Sequence, residues 1–193
     1  ANIRNVVSGA VTGGFFHVDV QRVRETILEE PWVREATVQR LWPDTLHVSI
    51  VEQQPVAYWG ESALLNDGAD IFVPSKASFP PGLIRLDGPV GSETETLAAY
   101  RHAAARLTPL GLKVTGVSLS ERRAQSLRLA DGATIVLGPR SAADRLERFV
   151  NAFQYVLRDN WARIAVIDLR YTNGFSIRER RIGATAGANG SNQ

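Results

Sequence analysis

The side chains able to do acid–base, nucleophilic or metal chemistry are few and poorly spaced for it. The histidines, His17, His47 and His102, are dispersed along the chain. His47 falls on the outer face of a strand pattern and His102 within a helical one, and no H-E-x-x-H or other ligand spacing joins them. Cysteine is absent, which removes disulfides, thiolate nucleophiles and cysteine-based zinc sites together. There is no G-x-S-x-G elbow and no Walker A loop. Gly88-Pro89-Val90-Gly91-Ser92 precedes a helix and has the composition of an N-terminal anion site, but a loop followed by a cap accounts for it. The carboxylate pairs Glu29/Glu30 and Glu93/Glu95 lie at helix ends, where they offset the macrodipole or are solvated. The tryptophans Trp32, Trp42, Trp59 and Trp161 are expected to pack against sheet, each indole N–H finding a partner. What remains is recognition through the backbone. The last strand pattern, Phe175-Ser176-Ile177-Arg178-Glu179-Arg180, has no following strand to cover it, and an edge of this kind is a template for another chain. Two readings of its charges stand: Arg178, Glu179 and Arg180 guard the edge against promiscuous pairing, or they select one acidic, extended partner by strand addition.

The elements that must carry this edge are legible from periodicity. Asp19 is the N-cap expected for a helix to about Glu30, with Val20, Val23 and Ile27 on one face. Pro31 stops it. Two alternating strands follow, joined by a Trp42-Pro43-Asp44 turn. The second has Leu46, Val48 and Ile50 on one face and His47, Ser49 and Val51 on the other, bracketed by Pro43 and Pro55. Residues 64–73 read as a hairpin turned by Asp67-Gly68, with the glycine supplying the positive φ of a primed turn. After a Pro-rich loop and a short strand at 83–86, Ser92 to Glu95 has the form of a capping box. Leu97, Tyr100, Ala104 and Leu107 then share one helical face. A strand at 112–120 precedes a hairpin around Asp131-Gly132. Ser141 caps a further helix whose inner face carries Leu146, Phe149, Val150, Phe153 and Leu157. The final hairpin joins residues 164–171 to 175–180 through a turn at Asn173-Gly174.

Composition is that of a globular protein: of 193 residues, 44% are hydrophobic and 22% charged. The net charge of +2 is too small to argue for nucleic acid. Basic residues are almost all arginine, with only Lys76 and Lys113 as exceptions, and they do not run together. No apolar run approaches the ~20 residues of a membrane span. With no methionine, Ala1 reads as a processed or trimmed start. Residues 1–18 resist assignment beyond a helix end at Val6/Val7 and a flexible glycine-containing connection. The tail at 183–193 lacks the apolar surface to order itself.

The run from Pro31-Trp32-Val33 through Ala36-Thr37-Val38-Gln39-Arg40-Leu41-Trp42-Pro43 and Leu46-His47-Val48 to Glu52-Gln53-Gln54-Pro55-Val56-Ala57-Tyr58-Trp59 resembles the end of the POTRA domain in the FtsQ/DivIB family of bacterial division proteins. Later segments are similar to the same family: Glu121-Arg122-Arg123 before a strand, Arg145-Leu146 with Arg148-Phe149 in the long helix, and Ile167-Asp168-Leu169-Arg170-Tyr171 with Gly174 opening the terminal hairpin. The resemblance covers about residues 15–178.

That resemblance implies an α+β fold: a POTRA domain at 1–55 lacking its first strand, then a mixed β-sheet domain with two helices at 56–182. It implies no enzyme, cofactor or metal. The implied role is a scaffold linking early and late division proteins, which binds FtsB and FtsL and controls septal peptidoglycan synthesis. The implied location is the periplasmic part of a single-pass inner-membrane protein at the septum, with its transmembrane helix upstream of Ala1. Its POTRA and transmembrane regions would meet other membrane division proteins. In the family, FtsB adds a strand to the last strand of the β domain. The matching positions here are Tyr171 and Gly174, which shape the hairpin with Asn173, and Arg170, which pairs with a partner carboxylate. Arg123, or else Arg122, does the same. A tryptophan that some members carry after the hairpin glycine is missing, and Phe175 or Ile177 beside Arg178 are the available substitutes. A POTRA-type component of an outer-membrane translocation or assembly system is the competing reading. It would carry tandem POTRA repeats or a barrel, and neither is visible.

Overall fold

The computed structural model describes residues 18–172 and 174–180. The expectations for Val6/Val7, for the missing first strand, for Asn173 and for the tail at 183–193 lie outside these residues. The chain forms two compact units, Ala1–Leu97 and Ala98–Gln193. No helix among the described residues is long and apolar enough to cross a membrane.

The first unit opens with α1 (Val20–Leu28). Asp19 caps it as expected, its carboxylate accepting from the N–H groups of Gln21 and Arg22 at 3.0 and 3.1 Å. The helix lies on a two-stranded antiparallel ribbon, β1 (Val33–Leu41) and β2 (Thr45–Glu52). Val23 and Ile27 are fully buried against Val33, Ala36 and Val38, with Leu46, Val48 and Ile50 packed alongside. Each such side chain contributes about 1.5–3 kcal/mol when fully buried. Val33 and Ala36 are three apart, which a strict period of two would set on opposite faces. A register shift between Val33 and Glu35 restores them to one face. Only that face is covered. Trp42, in the turn beyond the reach of the helix, is therefore 85% exposed, against the expectation that it packs on sheet. Trp32 does pack, edge-on to Phe72 at 5.4 Å, and its indole N–H donates to Ser78 Oγ.

The rest of this unit is mixed sheet: β3 (Pro55–Trp59) pairs antiparallel with β4 (Ala63–Asn66) and parallel with β6 (Ile84–Asp87), and β4 pairs with β5 (Ile71–Phe72). The β4–β5 connection departs from the expected Asp67-Gly68 primed turn, since the left-handed residue is Ala69, at φ 68°. Asn66 organises it instead. Its buried side chain accepts from the N–H groups of Gly68 and Asp70 at 2.9 and 2.8 Å and donates to Gln53 and Asp70.

Helix α2 (Glu93–Leu107) leads into the second unit, buried there along Ala103 and Leu107. The strands are β7 (Val114–Leu119), β8 (Gln125–Leu129), β9 (Thr134–Gly138), β10 (Ile164–Asp168) and β11 (Ser176–Glu179), in the sheet order β11-β10-β9-β8-β7. Neighbours are antiparallel except β9 and β10, which run parallel and are joined through α3 (Ala142–Ala152). Ser141 marks the start of α3, but it is left-handed at φ 51° and its side chain makes no cap bond, because an N-cap hydroxyl reaches the first turn from an extended backbone. Leu146, Phe149 and Val150 are buried, and α3 lies against β9. Phe149, Phe153 and Trp161 pack with centroids 5.3–5.9 Å apart. The Trp161 N–H donates to Asp131 Oδ2 at 2.6 Å. The Asp131-Gly132 turn is as expected, with Gly132 at φ 86°.

Asn66→Ala leaves the N–H groups of Gly68 and Asp70 without their acceptor in a part-buried turn. It is expected to cost about 1–3 kcal/mol in urea unfolding, and a loss under 0.5 kcal/mol would show that water replaces the amide freely.

Candidate functional site: the terminal edge strand

All of β11 is exposed, and among the described residues it is bonded on one side only, to β10. Alternate backbone N–H and C=O groups of such a strand face outward with no ladder partner. Ile177 stands opposite the fully buried Ile167 and is itself 43% exposed. Phe175 and Tyr171, on the connection into the strand, are 36% and 58% exposed. Three aliphatic or aromatic side chains thus flank an open backbone ladder.

The hairpin is shorter than expected. The ladder closes at Asp168 opposite Ser176, so residues 169–175 form the connection rather than a two-residue turn. The reason lies in where the backbone groups of this segment go. The Leu169 N–H continues to the other neighbour, donating to Val136 O at 2.9 Å. The carbonyls of Leu169, Arg170, Tyr171 and Thr172 all accept from two arginines of α3: Arg145 takes Arg170 O, and Arg148 takes the other three. All four carbonyls are thus engaged by side chains of α3.

At the opposite end, Arg180 ties β11 back to its own sheet. Its N–H donates to Arg163 O at 2.8 Å, its Nε to Ile164 O at 3.0 Å and its Nη1 to Asp131 O at 2.6 Å. Glu179 pairs with Arg163 at 3.3 Å. Of Arg178, Glu179 and Arg180, Arg178 alone has a side chain with no hydrogen bond or ion pair to another described residue.

Arg170 is engaged within the chain. Its backbone N–H and Nε donate to Asp168 Oδ1 at 3.0 and 2.9 Å, and Nη2 donates to Asp168 Oδ2 at 2.6 Å. Those guanidinium hydrogen bonds hold the Asp168 carboxyl below the usual carboxylate range despite its partial burial, with Arg145 adding a smaller pull. The Arg170 side chain remains well exposed, so a second carboxylate can approach its remaining N–H groups.

Arg122 and Arg123 lie elsewhere on the sheet but at the same end. Gln125, which opens β8, is opposite Gly138, which closes β9, and Val136 is opposite Asp168. The β7–β8 turn and the 169–175 connection therefore leave the sheet at one end, with β8 about 10 Å from β10. Arg123 is left-handed at φ 59° and its N–H donates to Ser120 O. Gly174 is exposed, and no atom lies within 4 Å of a Cβ built on it. Sequence reasoning did not single out Arg145, Arg148, Asp131 or Arg180 as shaping this hairpin. Arg145 and Arg148 sit three apart on α3, a spacing that puts both on one face, but nothing in the pattern names the carbonyls they meet. Among the described residues no group of three or more acidic or histidine side chains could hold a metal ion.

A helix on an antiparallel ribbon, followed by mixed sheet ending in an open edge strand, defines a POTRA domain coupled to a β domain. Residues 1–53 match the POTRA domain, FtsQ-type. Residues 57–170 match the family described as cell division protein FtsQ/DivIB, C-terminal. The cell division protein FtsQ of Coxiella burnetii is 32% identical over 177 residues, covering 92% of this chain and 73% of that protein. FtsQ of Burkholderia pseudomallei is 35% identical, with 91% and 72% covered, and FtsQ of Xanthomonas campestris is 36% identical, with 92% and 64% covered. The chain belongs to the FtsQ/DivIB family of cell division proteins. The C-terminal family match stops at Arg170, so Tyr171 and β11 lie beyond it.

Two measurements probe this geometry. Gly138 sits at φ +80°, and a Cβ there would lie 2.9 Å from both Arg145 Nη1 and Arg170 Cγ. Gly138→Ala is expected to cost about 1–2 kcal/mol in chemical denaturation and to shift the Tyr171 amide resonance, and an unperturbed variant would show the arginines free to move aside. The depressed carboxyl of Asp168 stabilises the fold fully above its unfolded pKa of ~3.9, and this contribution disappears as pH falls through the lower folded value. The stability gap between the wild type and Asp168→Asn should therefore be constant near neutrality and close in strong acid. A gap unchanged down to about pH 2 would assign it to something other than the ion pair.

Proposed function

We propose that this chain is a non-catalytic scaffold of the division machinery that binds FtsB and FtsL by adding a partner strand to β11. The observation that carries the reading is the state of β11 among the described residues: last in its sheet order, bonded on one side and exposed throughout. Backbone bonds along the open edge supply affinity, and the flanking side chains supply selectivity. In this reading Tyr171, Phe175 and Ile177 are the apolar anchors, and Asn173 and Gly174 shape the approach. Arg178 and Arg170 take partner carboxylates next to the strand, and Arg122 and Arg123 take one farther along the same sheet end. An added strand hydrogen-bonds to β11 whatever its sequence, so acidic residues on the partner decide which strand is accepted.

The domain boundaries that go with this reading are a POTRA domain at 1–55 and a β domain at 56–182. The POTRA domain would meet other membrane division proteins. The setting is the periplasmic face of the inner membrane at the septum, and the downstream effect is control of septal peptidoglycan synthesis. Membership of the FtsQ/DivIB family favours this role over one in outer-membrane translocation.

The test is a titration with a synthetic peptide covering the periplasmic C-terminal region of FtsB, followed by backbone NMR. Shifts are expected to concentrate at residues 170–180 with Arg122 and Arg123, and Tyr171→Ala is expected to abolish them while leaving the remaining spectrum in place. Saturation of the wild type with shifts elsewhere, or full affinity in the variant, would put the site in another part of the molecule.

A further inference from the structure

Four consecutive carbonyls, those of Leu169, Arg170, Tyr171 and Thr172, accept hydrogen bonds from two side chains of one helix. Arg148 takes three of them: Nη1 to Thr172 O at 2.6 Å, and Nη2 to Leu169 O at 2.9 Å and Tyr171 O at 3.1 Å. Arg145 takes Arg170 O at 3.4 Å and, with Nη1, Leu137 O at 2.6 Å. A guanidinium is a rigid planar fork that stays charged, so one side chain can gather several carbonyls in a fixed arrangement. With its carbonyls engaged by α3, the connection leaves the β10–β11 ladder after Asp168, and the Tyr171 ring is 58% exposed beside the open edge.

We propose that Arg148 is the positioning residue of the docking hairpin: by holding the carbonyls of Leu169, Tyr171 and Thr172, it fixes the connection that presents Tyr171 to the partner. This rests on the docking role of β11 and adds to it. Arg148 touches no partner. It removes conformations that the connection would otherwise lose on binding, and ordering a loop beforehand raises affinity by that amount. The core does not depend on it, since Arg148 is only half-buried and the packing of α3 rests on Leu146, Phe149 and Val150.

The full chain carrying Arg148→Ala, and separately Arg148→Lys, is compared with the wild type by amide hydrogen exchange and by titration with the FtsB peptide. In Arg148→Ala the amides of Leu169 and Arg170, which donate to Val136 O and Asp168 Oδ1, are expected to exchange at least tenfold faster, while those of Leu127 and Ile135 in the central strands keep their rates. Peptide affinity is expected to fall about tenfold. Arg148→Lys keeps the charge but not the fork, and is expected to fall between the two. Wild-type affinity in Arg148→Ala, or unchanged exchange in the connection, would overturn the assignment. So would acceleration spread equally over the core amides, because that is loss of fold rather than of positioning. A wild-type chain that fails to bind the peptide would overturn the docking role of β11 by itself, while the exchange rates would still decide whether Arg148 orders the connection.

Discussion

The arrangement of the second unit turns on how β10 shares its backbone between two neighbours. It runs parallel to β9, with Val166, Ile167 and Asp168 against Thr134, Ile135 and Val136, and antiparallel to β11 on its other side. A parallel pair demands a crossover, and α3 supplies it, lying on β9 with Phe149, Phe153 and Trp161 packed beneath. Because the crossover places α3 over the end of β10, its arginines meet the carbonyls that emerge there. Where the β10–β11 ladder stops, and so where the exposed strand begins, is set by that helix as much as by the hairpin's own turn residues.

The charged side chains around β11 divide by what they face. Arg180 reaches Asp131 and Ile164, Glu179 reaches Arg163, and Arg170 lies across Asp168. These are partly solvated pairs, and each contributes little to stability. Their geometric effect is larger: they hold both ends of a four-residue strand that, among the described residues, has a neighbour on one side only. A short edge strand so held suits template pairing with one extended chain, whereas a long, flat, apolar edge would invite self-association.

Much of the architecture is legible because it depends on local rules. The Asp19 cap, the alternation of Leu46, Val48 and Ile50 and the Asp131-Gly132 turn follow from capping, period-two patterning and backbone permissiveness, each read over a few residues. Departures occur where a distant group competes with a local signal. Gly68 carries the turn signature, yet the buried Asn66 amide shapes that connection and leaves Ala69 as the left-handed residue. Trp42 has the composition of a core residue, yet the ribbon turn carries it past the helix that covers the face.

The same division holds at the site. The sequence by itself determined a strand pattern bearing Phe175, Ile177 and Arg178, with Tyr171 and Gly174 before it, because strand alternation and turn residues are properties of neighbours along the chain. Only the tertiary structure decided that Asp168 holds Arg170, that the β7–β8 turn carrying Arg122 and Arg123 shares an end of the sheet with the hairpin, and that Arg145 and Arg148 gather the carbonyls between β10 and β11. Those are contacts between residues remote in sequence, such as Arg148 and Thr172, and they follow from strand order and crossover geometry, to which no local pattern is sensitive.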